Sequence, residues 1–375
     1  MATRSPGHRL VILALITVVS ATAMACHGPD SAGSLADDEP TLIATVRLGS
    51  GADSPQSVAV NPSSNLVYVA NNAANGSVSV IDGERNTAVG AVPVGSWPVD
   101  VAVNPATNLV YVANPTYVGQ GVYPGNPATN NVSVIDGDSN TLVATISVDS
   151  HPTGVAVNPA TNLVYVANPA YTGQDLYVGN LTTSKASVID GGSNTVVGTV
   201  SLVASQPQSV AVNPSTNRIY VANYGTDSVS VIDGDTNTVV ATVPVVSGPW
   251  AVAVNPSTNR IYVANYGTDS VSVIDGATNA VAATIPVGSQ PEGVAVNPTT
   301  DRIYVANLGD DSVSVIDGST NAVVATVPVG SYPRGVAVNP ATNRIYVGNY
   351  GDDTVSVIED TGGAPPPTPT QRPTD

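Results

Sequence analysis

Seven prolines, Pro55, Pro98, Pro152, Pro207, Pro249, Pro291 and Pro333, each stand three residues ahead of a VAVNP string, and the side chains around them carry most of the chemistry this chain could perform. The flanking pairs are Ser54 and Gln56, Trp97 and Val99, His151 and Thr153, Gln206 and Gln208, Gly248 and Trp250, Gln290 and Glu292, and Tyr332 and Arg334. These positions vary where the segments after them repeat. Trp and Tyr offer flat apolar faces with hydrogen-bonding tips, suited to sugar rings, peptides or protein partners. His151, Glu292, Arg334 and the nearby Asp100 supply the residue types of a hydrolase or lyase.

The inventory of reactive residues is short. Beyond the leader the histidines are His27 and His151, Lys185 is the single lysine and Cys26 the single cysteine. Histidine-rich metal clusters, Cys-His and Lys nucleophiles and a c-type haem motif are therefore absent. An axial haem ligand could only be His151, so a cofactor-carrying redox accessory is a third and weaker reading. Nothing in the spacing of His151, Glu292, Arg334 and Asp100 demands catalysis, and a histidine beside Pro152 reads as an ordinary loop residue. The DGDTN piece at 233–237 lacks the later bidentate Glu of a calcium loop and reads as a hairpin turn that favours Asp-Gly. The expectation is a binding protein with no assigned catalytic residue, metal or cofactor; the alternative is a hydrolase or lyase at the same place.

The elements that must position these residues follow from repetition. VAVNP begins at Val58, Val101, Val155, Val210, Val252, Val294 and Val336, with spacings of 43, 54, 55, 42, 42 and 42 residues. Within each period four short β-rich runs recur, as VAVNP, RIYVAN, SVSVID and AVAATIPV do from Val252 to Val287, separated by turn chemistry. Seven units of four antiparallel strands predict an all-β, seven-bladed β-propeller. The last unit lacks a fourth strand, and TLIATVRLG at 41–49 matches the missing one, so the amino-terminal strand should complete the seventh blade and close the ring.

The segments YVAN at 68–71, 111–114, 165–168, 220–223, 262–265 and 304–307, and YVGN at 346–349, carry a resemblance to YVTN-type β-propellers of surface-layer and exported bacterial or archaeal proteins. It spans nearly all of residues 41–359, with Ala or Gly in place of the motif's Thr. Joining Asn223 to Ser228 by a four-residue turn puts Tyr220 opposite Val231, and Arg218 opposite Asp233; by repetition Arg260 faces Asp275, Arg302 faces Asp317 and Arg344 faces Glu359. The arginines then read as cross-strand ion pairs, each worth at most about 1 kcal/mol at a surface. The seven motif tyrosines read as inter-blade core.

The remaining aromatics are Tyr117, Tyr123, Tyr171, Tyr177, Tyr224, Tyr266, Tyr332, Tyr350, Trp97 and Trp250. All fall on the side of the disc that carries the loops entering the first strands and joining the second strands to the third. The long insertions at 115–130 and 169–184 lie on that side as well. The candidate ligand-binding set is Trp97, Asp100, Tyr117, Tyr123, His151, Tyr171, Tyr177, Trp250, Glu292, Tyr332 and Arg334.

Composition and the chain ends bound the setting. Of 375 residues 42% are hydrophobic and 10% charged, with a net charge of −17 and no Phe, which excludes a disordered chain and disfavours nucleic acid as a partner. Residues 1–25 read as a secretory signal, with Arg4 and Arg9 ahead of an apolar run and a small-residue series up to Ala25. Cys26 then stands where a lipoprotein would be acylated, although Ala23 and Met24 depart from the usual box. Residues 26–40 read as a tether, 41–360 as the propeller and 361–375 as a Pro/Thr-rich tail. The expected setting is extracytoplasmic, at the cell envelope, for a monomer that binds an envelope glycan, peptide or protein and touches a membrane only through a lipid anchor at Cys26.

Overall fold

The computed structural model describes residues 39–49, 54–115, 130–170 and 184–362. Their 28 strands form seven four-stranded antiparallel sheets, each built from strands consecutive in sequence with one exception. The exception is the seventh blade, where Thr41–Arg47 pairs antiparallel with Thr354–Glu359, followed by Arg344–Asn349 and Pro333–Asn339. Thr41 faces Glu359 and Arg47 faces Thr354, so the first described strand is the outermost strand of the last blade. Innermost strands lie against one another from blade to blade, and Pro333–Asn339 packs on Pro55–Asn61 of blade one, closing the circle.

Radial stacking explains why the strands are apolar runs rather than alternating ones. Second and third strands such as Leu66–Asn71 and Ser228–Asp233 are buried on both faces between neighbouring blades. Outermost strands such as Thr141–Ser147 bury one side chain, Ile146, and expose most of the others. Each core cluster joins two blades; Tyr220, Ala222, Val229 and Val231 of blade four pack on Val252, Ile261, Val263 and Ile274 of blade five. All seven motif tyrosines are fully buried. Burial pushes the hydroxyls of Tyr68, Tyr111, Tyr165 and Tyr262 up to about 12, so they stay neutral.

Two buried asparagines per repeat give the motifs their polar letters. The Asn of each VAVNP accepts a bond from the backbone N–H two residues on, as Asn213 does from Ser215 at 3.0 Å, and its amide donates to the next blade. The seven donations are Asn61 to Asn108, Asn104 to Asn162, Asn158 to Asn217, Asn213 to Asn259, Asn255 to Asp301, Asn297 to Asn343 and Asn339 to Asn65, at 2.6–2.9 Å. They form a closed circle. The acceptors sit in left-handed turns, φ 50–56°, a conformation Asn and Asp tolerate better than other non-glycine residues. The second asparagine, last letter of YVAN, bonds the middle serine of the adjacent third strand, as Asn223 does with Ser230 at 3.0 Å and Asn307 with Ser314 at 2.9 Å.

Two expectations are corrected. The register pairs all four arginines with the carboxylates named above, but only Arg218 closes its cross-strand pair at hydrogen-bond distance, 2.8 Å to Asp233. Arg260 reaches Gly318 O of the next blade at 3.0 Å, Arg302 reaches Asp360 at 2.6 Å, and Arg344 reaches Gly83 O with Glu359 3.8 Å away. Asp233, Asp275 and Asp317 are all held through Oδ1 by donors of their own turns, so competition does not set Arg218 apart; the other three arginines reach acceptors of the neighbouring blade instead. The Asp-Gly turn also works differently. In 233–237 the left-handed residue is Asn237, φ 52°, while Gly234 is required because a Cβ there would run into Asn217, whose carbonyl accepts the Gly234 N–H at 2.9 Å. Asp233 Oδ1 accepts the N–H groups of Asp235 and Thr236, so that oxygen is committed to the turn while Oδ2 pairs with Arg218.

In blade seven Asp360 stands where the other blades have glycine. It is fully buried, pairs with Arg302 and accepts a bond from the Tyr304 hydroxyl of blade six at 2.5 Å. Asp360→Ala strands both partners and should cost about 3–5 kcal/mol in chemical denaturation. Asn213→Ala, which opens one link of the circle, should cost about 1–3 kcal/mol in the same measurement.

Candidate ligand-binding mouth

The seven residues before the prolines all adopt left-handed backbone: Ser54 (φ 60°), Trp97 (52°), His151 (50°), Gln206 (51°), Gly248 (75°), Gln290 (54°) and Tyr332 (53°). Six are not glycine, and a following proline disfavours helical backbone, so the turn needs outside support. Carboxylates of the preceding blade supply much of it. Asp353, Asp227, Asp269 and Asp311 accept the N–H groups of Ser54, Gly248, Gln290 and Tyr332 at 2.8–2.9 Å.

This turn sends the two flanking side chains different ways. The residues after the prolines, Gln56, Val99, Thr153, Gln208, Trp250, Glu292 and Arg334, all line a central cavity of about 710 Å³. Of the residues before them only His151 and Gln206 do. Trp97 and Tyr332 therefore lie off the cavity wall, Tyr332 with 55% of its surface exposed. Tyr224, Tyr266 and Tyr350 join the wall, although the sequence counted them only as aromatics of the same side. Their position directly after YVAN or YVGN was the signal that marks them. Trp250 belongs to the strand Pro249–Asn255 rather than to a loop. Tyr117, Tyr123, Tyr171, Tyr177 and Cys26 lie outside the described residues.

One arc of the mouth, from blade four to blade one, is aromatic and ionic. Trp250 meets Tyr224 edge-on, 5.5 Å between centroids at 88°, and Tyr266 at 5.6 Å and 37°. Beside them Glu292 is 8% exposed, its Oε2 3.4 Å from Arg334 Nε. Burial pushes the Glu292 carboxyl up and Arg334 pulls it part of the way back. Arg334 donates to Gln56 Oε1 at 3.0 Å and lies 4.2 Å over the Tyr350 ring, so its plane is fixed. The Tyr266 hydroxyl is pushed up by burial and, next, by Glu292.

The opposite arc is organised by Asp100. Its Oδ1 accepts from Ser57 Oγ of blade one at 2.6 Å and from Val101 N at 2.9 Å, and its Oδ2 accepts from Val155 N of blade three at 2.8 Å. Desolvation outweighs these three donors and raises the carboxyl to about 6. Asp100 and Glu292 thus belong to separate polar groups, one spanning blades one to three and the other tied to Arg334. Among the described residues no three His, Cys, Asp or Glu side chains cluster as a metal site.

No family model matches this chain, and no curated protein matches it. Among solved structures it is similar to Kuenenia stuttgartiensis hydrazine synthase, at 22% identity and a TM-score of 0.70, over 84% of this chain and 97% of that one. The likeness is one of fold.

The Asp100 shift has a defined pH signature. The folded chain keeps this proton up to about pH 6, whereas the unfolded chain releases it at the usual carboxylate value, so its contribution is present in full below that value and is lost as pH rises through 6. The turn carboxylates Asp82, Asp136, Asp233 and Asp275, lowered chiefly by the backbone N–H three residues on, act with the opposite sign. Subtracting the pH–stability curve of Asp100→Asn isolates Asp100. The wild type should lose about 1–3 kcal/mol relative to that variant between pH 4 and 7, read by urea unfolding.

Proposed function

We propose that this protein is an exported, non-enzymatic β-propeller with YVTN-type repeats that binds a cell-envelope glycan, peptide or protein at the mouth of its central channel. The observation that carries the reading is the convergence of Tyr224, Trp250 and Tyr266, from two blades, on the cavity wall beside a buried Glu292. Aromatic anchors next to a few oriented polar groups are what a recognition pocket requires. The family reading rests on the YVAN and YVGN segments, and the export reading on residues 1–25, with Cys26 as the acylation site if the chain is lipid-anchored. Among the described residues no helix is long and apolar enough to cross a membrane. The acidic chain is not a nucleic-acid binder in this reading, and it acts as a monomer without a cofactor.

A second reading has one specific observation in its favour. Asp100, raised to about 6 at a cavity that His151 also lines, is a carboxyl suited to general acid–base work, and a hydrolase or lyase would use it. Turnover of an ester, lactone or glycoside panel that Asp100→Asn abolishes would favour that reading.

For the binding reading, Trp250→Ala should weaken retention on purified cell-envelope material by about tenfold or more with the thermal melt unchanged. Tyr332→Ala, off the wall, should leave retention near wild type. Undiminished retention of Trp250→Ala would remove the mouth from the account.

A further inference from the structure

Glu292 and Arg334 are an ion pair that is not a hydrogen bond. Oε2 and Nε face each other 3.4 Å apart and are closed to solvent, while both side chains line the cavity through their remaining atoms. An acceptor and a donor therefore sit side by side next to the Trp250 indole. Each ligand class can be weighed against that arrangement. A cation gains from Glu292 and the rings but meets Arg334, and an anion gains from Arg334 but meets Glu292 in a chain of net charge −17. A wholly apolar ligand strips water from the cavity-facing carboxylate and guanidinium without replacing its hydrogen bonds, which is costly. A ring with an apolar C–H face and adjacent hydroxyls satisfies all three features, because a hydroxyl both donates and accepts.

We propose that the arc from Trp250 to Arg334 is a subsite for an uncharged pyranose, with the sugar's C–H face on Trp250, one hydroxyl donating to the Glu292 carboxylate and its neighbour accepting from the Arg334 guanidinium. This rests on the reading of the mouth as a binding face and names its ligand class. Pre-organisation supports it: Tyr350 and Gln56 hold the guanidinium, and Tyr224 and Tyr266 brace the indole, so little ordering is left for binding to supply. The subsite's discrimination is against sugars lacking one of the two hydroxyls, since these would leave the carboxylate or the guanidinium without its partner.

The test uses intrinsic fluorescence of the full chain carrying Trp97→Phe, which leaves Trp250 as its one indole. It is titrated with neutral gluco-, manno- and galacto-configured oligosaccharides, their N-acetylated, uronic-acid and free-amine counterparts, and a random peptide library. Neutral or N-acetylated oligosaccharides should shift Trp250 emission. Glu292→Gln and Arg334→Met should each weaken that binding about tenfold or more. The matching deoxy sugar should bind wild type with a similar loss, a readout that needs no variant to fold. Binding confined to charged glycans overturns the proposal. If peptides bind instead, and lose binding in Trp250→Ala, the sugar assignment falls and the mouth stands. If no probe disturbs Trp250, both fall.

Discussion

A closed circle of seven side-chain amide bonds is the constraint on which the rest of this molecule depends. Each VAVNP asparagine ties its own turn and then reaches into the next blade, and Asn339 reaches back to Asn65, so no blade ends the series. Every donor in the circle is buried and every acceptor is a half-buried turn residue, so an unmade bond carries much of its desolvation cost. The bonds therefore favour one radial spacing of the blades, and the tyrosine-centred clusters fill the space that this spacing leaves.

The mouth takes its precision from a second set of bonds between blades. Carboxylates of one blade hold the left-handed residue that opens the next, and this fixes the direction of the side chain beyond each proline. Seven nearly identical backbones can then present seven side chains of six kinds to one cavity, from Gln56 round to Arg334. Variation at those positions costs the fold little, because the supporting bonds are made by backbone and by residues that do not face the cavity. Rigid elements with variable tips are the usual arrangement for recognition.

Much of the fold was legible because periodicity reports on hydrogen-bonded neighbours within a sheet. The strand count, the facing of Tyr220 with Val231 and the capture of 41–47 by the last blade all follow from spacing along one chain direction. What crosses between blades was not legible. Arg302 has Asp317 opposite it in sequence logic yet pairs with Asp360, because the radial angle between blades, invisible in local spacing, brings the next blade's turn within reach of a long side chain. The site divides in the same way. The place of Trp250 and Glu292 on the cavity wall follows from their position after a proline, but the left-handed backbone shared by the residues before the prolines does not decide which of them reach it: His151 and Gln206 line the wall, and Trp97 and Tyr332 do not. Tyr224, Tyr266 and Tyr350 needed the three-dimensional proximity of second-to-third-strand turns to neighbouring innermost strands.

Ring closure should make the seven blades one cooperative unit, unlike an open array whose repeats contribute separately. Native-state amide hydrogen exchange, followed by mass spectrometry at increasing denaturant, measures this directly. The protected amides of all seven VAVNP strands should converge on one opening free energy, equal to that of global unfolding. Graded protection, with blade seven and the Thr41–Arg47 strand opening well below the others, would contradict it.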